Sequence, residues 1–582
     1  MRLTTLESLR HHLARSDALL PLALIGILSG AFSGITIIAF RLLGESSFLT
    51  FGVRSTAENF ESLTWPWRIG LPVAGGLIIG ILMSSVSAAT RKVGVDHVME
   101  RLAYHAGRLP WRNAVLQFAG ATIAIVSGHS VGREGPSIHV GAASASLLGQ
   151  WLHLPNNSIR ILVACGTAAA IAASFNTPIA GVIFAMEVVM LEYTLVGFTP
   201  VILAAVCATS MTQLVFGSTP VIDAPAAQMA SLLELPYMLL VGLVLGALAS
   251  LFISSVRRLN EGSRDLPLWL RTTAAGLVTG LCALAAPEIM GIGYDTVELT
   301  LIGALGLASL TLIVSLKLVA TTACIGLGVP AGLIGPTVVM GALGGATLGL
   351  IGHGLAPHFS ASSGFYALLG MGAMMGATLQ APLAALMAIL ELTANPNSIL
   401  PGMVVIVSAT LTSRVLFGHE SIYITMLRSR GLDYRHDPVA VALSRTGVSA
   451  IMNRHFALAP TPISLASAER IFEGSAEWIV LAEDGGMWAA MDREGLERVS
   501  AALDTSENRE SVALLAEQGQ RCVTVRGDAS LREALDAMNK DKADVAVITG
   551  TSRRDAHNAY GILTRGQIHA AVRYGAGRNE AV

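Results

Sequence analysis

Charge is what this sequence has least of. Asp, Glu, Lys and Arg make up only 13% of it against 53% hydrophobic residues, and the two signs nearly cancel at a formal net charge of −2. A nucleic-acid binder would show a basic excess, so that class is excluded. Cysteine is sparse too. Cys165, Cys207, Cys282, Cys324 and Cys522 are odd in number, scattered, and mostly inside apolar runs, which suits single buried thiols better than disulfides or a metal site. There is no HExxH and no nucleophile with a recognisable base, which removes the enzyme classes those patterns mark. No small-residue cleavage site ends the first apolar run, so it reads as an uncleaved span and not as a signal peptide.

What is present is apolar sequence in long runs. Mean hydropathy is +0.61, far above what a soluble core needs. The run LLPLALIGILSGAFSGITIIAF (19–40) is long enough for a helix to cross a hydrocarbon layer of about 30 Å, and others of similar reach begin near Ile69, Pro236, Leu270, Leu301 and Ile399. A polytopic helical membrane protein is expected. Arg2, Arg10 and Arg15 ahead of the first run place the N-terminus in the cytoplasm, and the arginines of RSRGLDYRH place the end of the last run there as well. From Arg428 onward the long runs stop. Short strand-like stretches (WIVLAE, VAVIT) then alternate with helix-like ones (SLREALDAMN), as in a soluble α/β tail.

The chain also resembles itself. GREGPSIHVGAASASLLGQ from Gly132 aligns with GLIGPTVVMGALGGATLGL from Gly332, and CGTAAAIAASFNTPIAGVIFAME (165–187) aligns with LGMGAMMGATLQAPLAALMAILE (369–391), with Pro178 over Pro382 and Glu187 over Glu391. Two halves on one plan, broken by Gly and Pro inside apolar sequence, mark a transporter-type repeat with interrupted helices meeting near the bilayer midplane. The sequence by itself leaves parallel and inverted halves open. In GREGP and GLIGP the glycines permit a sharp turn, and the proline suits the first turn of the following helix. The exposed N–H groups and the positive dipole end then form a site for an anion and not for a cation. Glu134, placed there, would compete with the anion and act as its gate.

At these residues the sequence resembles the CLC family of chloride channels and anion/proton exchangers, from about residue 20 to the end. GREGP (132–136) matches the family's G(K/R)EGP, GLIGP (332–336) its second helix-terminus motif, FNTPIAGVIFAME the stretch F-x-x-P-x-x-G-x-x-F-x-x-E, and Tyr423 in ESIYITML its pore tyrosine. The resemblance implies an inverted-repeat homodimer with one anion pathway per subunit. It further implies that Glu134 gates, and that Gly132, Arg133, Gly135, the amides of Leu333 and Ile334, Tyr423, Val93 and Gly94 surround the anion. Three departures qualify it. KVGVD stands where the family has GSGIP, so Val93 replaces a coordinating serine and Asp96 a proline. Ile334 stands where phenylalanine is common. Val188, after Glu187, occupies the position at which exchangers carry a proton-passing glutamate.

On that valine the expected activity is passive, channel-like chloride permeation. The alternative is proton-coupled chloride antiport, or a CLC-type transporter of nitrate or bicarbonate. Glu187 and Glu391 are expected to hold helix ends or loops through backbone hydrogen bonds, and His129 and His139 to be packed and hydrogen-bonded. Lys317 either snorkels or raises the local positive potential. The expected domains are a cytoplasmic segment (1–17), a membrane domain (18–426, halves about 18–217 and 232–426), a linker (427–447) and a tail (448–582) that resembles a CBS pair. Such pairs often bind adenine nucleotides, but Gln567 stands at their ribose-binding aspartate and the first module has no clean match. A dimerisation or regulatory platform without cofactor is therefore expected. Divalent-cation transporters also carry CBS pairs, yet they need carboxylate or carbonyl clusters in the membrane, which these glycine-led helix starts do not supply. The partners expected are a monovalent anion, the lipid of a bacterial-type inner membrane and a second copy of the chain, with no nucleic acid.

Overall fold

A computed structural model of the chain describes residues 18–50, 60–193, 195–218, 228–432, 442–482, 488–502, 516–550 and 558–571, with a few isolated positions besides. Arg2, Arg10 and Arg15 lie outside the described residues, as do all but one of residues 1–17 and, in the expected linker, residues 433–441. The chain forms two compact units. One contains residues 23–148 and 161–434, the other residues 1–22, 149–160 and 435–582.

The larger unit is helical and is built twice over. Its first set is α1 (Leu19–Thr50), α2 (Trp65–Ser84), α3 (Val95–Tyr104), α4 (Trp111–Val126), α5 (Glu134–Trp151), α6 (Asn156–Phe175), α7 (Pro178–Phe184, continued by a wider π turn over Ala185–Met190) and α8 (Leu195–Phe216). The second is α9 (Leu235–Gly262), α10 (Leu268–Ala285), α11 (Tyr294–Leu301), α12 (Leu307–Gly326), α13 (Ile334–Leu355), α14 (Ser363–Leu379), α15 (Pro382–Thr393) and α16 (Ile399–Leu411), after which α17 (Ile422–Ser429) follows. Among the described residues, nine helices are long and apolar enough to cross a membrane. Leu24, Leu28, Phe32 and Ile35 of α1 stand exposed, an apolar face that lipid covers and water would not.

The relation between the halves can be read from individual bonds. Gly132 N–H donates to the Gly332 carbonyl at 2.7 Å, and Gly332 N–H donates to the Gly132 carbonyl at 2.8 Å, as an antiparallel bridge. A residue and its repeat mate exchange bonds in this way across a two-fold axis, so the two halves are related by such an axis, as an inverted repeat requires. A second exchange repeats the symmetry. The Glu187 carboxylate accepts from the amides of Leu383 and Ala384 (3.2 and 2.7 Å) at the start of α15, and Glu391 accepts from Ile179 and Ala180 (3.0 and 2.7 Å) at the start of α7. Proline at the first position of both helices leaves these amides as the orphan donors that need a cap. Within each half, small residues let helices touch: a Cβ on Gly141 would lie 2.7 Å from the Gly166 carbonyl, and one on Gly341 would lie 2.3 Å from that of Gly370.

The smaller unit contains the expected α/β tail. Its strands are β1 (Phe456–Pro460), β2 (Ile463–Ser464), β3 (Trp478–Ala482), β4 (Trp488–Asp492), β5 (Ala513–Leu514), β6 (Gln520–Arg526), β7 (Val545–Thr549) and β8 (Ala559–Thr564), with α18 (Leu465–Glu473), α19 (Arg493–Ala502) and α20 (Leu531–Lys540). The main sheet runs β1-β3-β4-β6-β7-β8; β1 pairs parallel to β3 and β6 parallel to β7, while β4 and β8 pair antiparallel to β3 and β7. This doubled plan is compatible with a CBS pair. Ser530 and Glu533 close a capping box at the start of α20. Gln567 Oε1 accepts from the Thr564 amide at 2.9 Å, so its side chain is engaged with the backbone at the end of β8. All five cysteines are free, and burial pushes the Cys522 thiol up to about 12, leaving it neutral. Residues 149–160, between α5 and α6, belong to this unit too: the Asn156 side chain donates to both Glu533 oxygens (2.9 and 2.8 Å) and the Asn156 amide to the Asp528 carbonyl at 2.9 Å.

Glu187→Ala and Glu391→Ala each strand two helix-start amides in equivalent places. Each is expected to lower the stability of the purified protein in detergent by about 1.5–3 kcal/mol, and by similar amounts, as read from thermal unfolding.

Candidate anion site and gate

The Gly132–Gly332 bridge sets the starts of α5 and α13 against each other. A Cβ on Gly332 would fall 2.7 Å from the Gly135 amide nitrogen, so side chains of any size would force the two turns apart. Into this crossing Glu134, the first residue of α5, sends its carboxylate over to the other half. Oε2 accepts from the Gly335 amide at 3.1 Å, in the first turn of α13, and Oε1 accepts from the Tyr294 hydroxyl at 2.7 Å. Glu134 is 1% exposed. The space it fills is made by glycine, since a Cβ on Gly132 would sit 2.1 Å from Oε2. The carboxylate therefore occupies a buried helix N-terminus of the kind that holds anions. The Arg133 guanidinium lies 5.9 Å from the centre of the Tyr294 ring.

Beside this crossing lies a cavity of about 530 Å3. Val93, Gly94, Gly135, Leu333 and Tyr423 line it, so five of the residues marked out by the sequence converge on one space. Glu134 is not part of that wall. Tyr423, at the start of α17, is 4% exposed, its hydroxyl has no hydrogen-bond partner among the described residues, and it stands within electrostatic reach of both Glu134 and Asp96. Gly94 holds φ at +97° and lets the chain turn into α3. The rim carries Arg91, Arg264, Arg271 and Arg430 against one carboxylate, Asp96, giving the space a positive balance suited to an anion.

Other marked residues go elsewhere. Ile334 faces a small apolar void of about 30 Å3 with Phe175, Phe184 and Val338. Val188 is buried in the π turn that packs against α3, while its neighbour Glu187 is committed to the start of α15 and lines no part of the cavity. His129 shares a 2.9 Å hydrogen bond with Ser127. Lys317 does not snorkel. It is fully buried and donates to the carbonyls of Ile289, Gly291 and Ile292 at 3.0, 3.0 and 3.1 Å, fixing the turn that leads to Tyr294. Gln117, its mate in the first half, donates to the Pro330 carbonyl at 2.7 Å ahead of α13.

Two features escaped the sequence reading. Tyr294 sits in GIGYDT, which offers no motif, and only the fold carries it to Glu134. His97 Nδ1 lies 2.9 Å from His139 Nε2, joining α3, which opens at the cavity, to α5, which opens with Glu134.

The model of the family described as voltage gated chloride channel matches residues 75–414. A putative chloride channel protein ClcB-like from Ralstonia nicotianae is 31% identical over 428 residues, covering 72% of this chain and 99% of that protein. The H(+)/Cl(-) exchange transporter ClcA of Salmonella paratyphi B is 25% identical over 437 residues, covering 73% and 92%. Among solved structures, a slow cyanobacterial Cl-/H+ antiporter aligns at TM-score 0.63 and 21% identity over 70% of this chain and 97% of its own. A eukaryotic CLC transporter aligns at 0.62 and 19% identity over 94% and 97%, so this likeness in fold extends through the tail. With the match spanning both halves of the repeat, GREGP and GLIGP included, the chain belongs to the voltage gated chloride channel family, the CLC family.

Proposed function

We propose that this chain carries chloride, or a monovalent anion of similar size, across the membrane in exchange for protons, with Glu134 as the gate. The observation that carries this reading is the Glu134 carboxylate seated on the Gly335 amide, where a permeating anion would otherwise sit. A carboxylate that must leave for the anion to enter, and that leaves more readily once protonated, ties one movement to the other. Coupling draws further support from the relatives named as H(+)/Cl(-) exchange transporters, which match over 92% of their length. A second reading, passive permeation, is favoured by Val188, whose aliphatic side chain cannot carry a proton on the inner half of the path. Val93 supplies no hydroxyl to the anion, which keeps nitrate and bicarbonate among the substrates to test. Both termini in the cytoplasm, an inner-membrane location and a homodimer with one path per subunit complete the proposal.

In a planar bilayer with separately imposed chloride and pH gradients, the reversal potential is expected to move systematically with the proton gradient. A potential fixed at the chloride Nernst value, unmoved by pH, would instead establish passive permeation.

The gate makes its own predictions in liposomes with a valinomycin shunt. Glu134→Gln should leave anion efflux intact or raised and largely independent of external pH; loss of efflux from a folded protein would make Glu134 structural. Tyr294→Phe removes a hydrogen bond to a charged group worth about 1.5 kcal/mol, so it should shift the gate toward release by roughly tenfold and raise efflux at neutral pH. Efflux unchanged in Tyr294→Phe would show that the hydroxyl does not hold the gate.

A further inference from the structure

The family's first helix terminus is altered in this chain, and the structure shows what occupies it. Asp96, in the first turn of α3, is 5% exposed, and its carboxylate curls back over the helix start. A Cβ on Gly94 would meet Asp96 Oδ1 at 2.7 Å, and the carboxylate faces the backbone N–H groups of Asp96 and His97. The positive end of α3 is thus already filled by a negative group of the protein's own, as the start of α13 is filled by Glu134.

Asp96 is not left alone. Arg430, the residue that ends α17, pairs with it through Nη2 and Oδ2 at 2.6 Å. The other arginines on the cavity rim have different commitments. Arg91 donates to the carbonyls of Val86 and Ser84, Arg271 reaches the Gly326 carbonyl, and Arg264 donates to the carbonyl of Ser429, which pins the end of α17 beside Arg430. One short helix therefore carries Tyr423 on its first turn, with an unpartnered and buried hydroxyl, and the counter-ion of Asp96 at its end. Tyr423 lies within electrostatic reach of both carboxylates, Glu134 and Asp96.

We infer that Asp96 and Arg430 form an electrostatic latch: Asp96 fills the α3 terminus, and Arg430 sets how strongly that carboxylate excludes an anion from the cavity beside Tyr423. With the pair closed, the two charges cancel and an anion meets the positive balance left by Arg91, Arg264 and Arg271. With Arg430 withdrawn, a buried carboxylate without its counter-ion faces the anion, and like charges at close range in a low-dielectric space repel strongly. The latch rests on the anion-transport reading proposed above.

The test uses the full-length protein in detergent, titrated calorimetrically with chloride, beside liposome efflux and thermal unfolding of each variant. Asp96→Asn should bind chloride several-fold more tightly, because Arg430 then faces the cavity without its partner. Arg430→Gln should bind about tenfold more weakly, the scale of a like charge within about 10 Å at an effective dielectric near 20. The double variant should return to within about twofold of the unaltered protein, a rescue that a merely structural arginine would not give. If the unaltered protein neither binds nor moves chloride, the transport reading fails and the latch with it. If it does both, yet Asp96→Asn binds as the unaltered protein does, or the double variant stays as weak as Arg430→Gln, the latch alone is overturned. Should Arg430→Gln not fold, the isosteric Asp96→Asn decides by itself.

Discussion

Two backbone hydrogen bonds, given and returned between Gly132 and Gly332, hold the centre of this molecule. Everything at the site follows from their shortness. They draw the starts of α5 and α13 so close that only glycine fits at positions 132, 135 and 332, and that closeness lets Glu134 of one half reach an amide of the other. A wider crossing would leave the carboxylate on its own helix, with no anion site to occupy. The seat of the carboxylate and the scaffold are one contact.

The scarcity of charge has a structural counterpart, for several charges in or at the edge of the helical core are met by specific partners. Lys317 is surrounded by three carbonyls, Glu187 and Glu391 by helix-start amides, Glu134 by an amide and a hydroxyl, and Asp96 by an arginine. Burying an ionised group without such partners costs several kcal/mol, so a chain this apolar can keep a charge only where geometry supplies the partners. The solutions differ in reversibility. Helix-start amides locked by proline stay put, whereas a carboxylate held by one amide and one hydroxyl can be released by a single proton.

The repeat, the broken helices and the soluble tail were legible in the sequence because glycine and proline recur at fixed intervals and composition shifts after residue 425. Glu134 was legible for the same reason, as a charge beside a glycine-proline turn in apolar surroundings. The direction of the repeat was not. Parallel and inverted halves leave the same spacing, and the two-fold relation between the halves shows only in the reciprocal bonds of Gly132 with Gly332 and of Glu187 with Glu391. Tyr294, His97 and Arg430 stayed hidden because their partners are distant in the chain; the tyrosine is 160 residues from the carboxylate it holds. Periodicity reports which face of a helix is buried, not which side chain of another half it will meet. Lys317 was ambiguous for a related reason, since a lysine in an apolar run looks alike whether it reaches for water or for three carbonyls in a turn.

The exchanged caps also bear on how the chain is made. The amides of Ile179 and Ala180 wait for a carboxylate at Glu391, about 200 residues further along. A ribosome delivers the first half complete in sequence but with the start of α7 still bare, and no residue of that half supplies the cap it lacks. The first half must therefore persist in the bilayer as an unfinished partner until the last helices arrive, when the second half completes it and is completed by it in the same step. Such a molecule matures at the end of synthesis and not progressively along it.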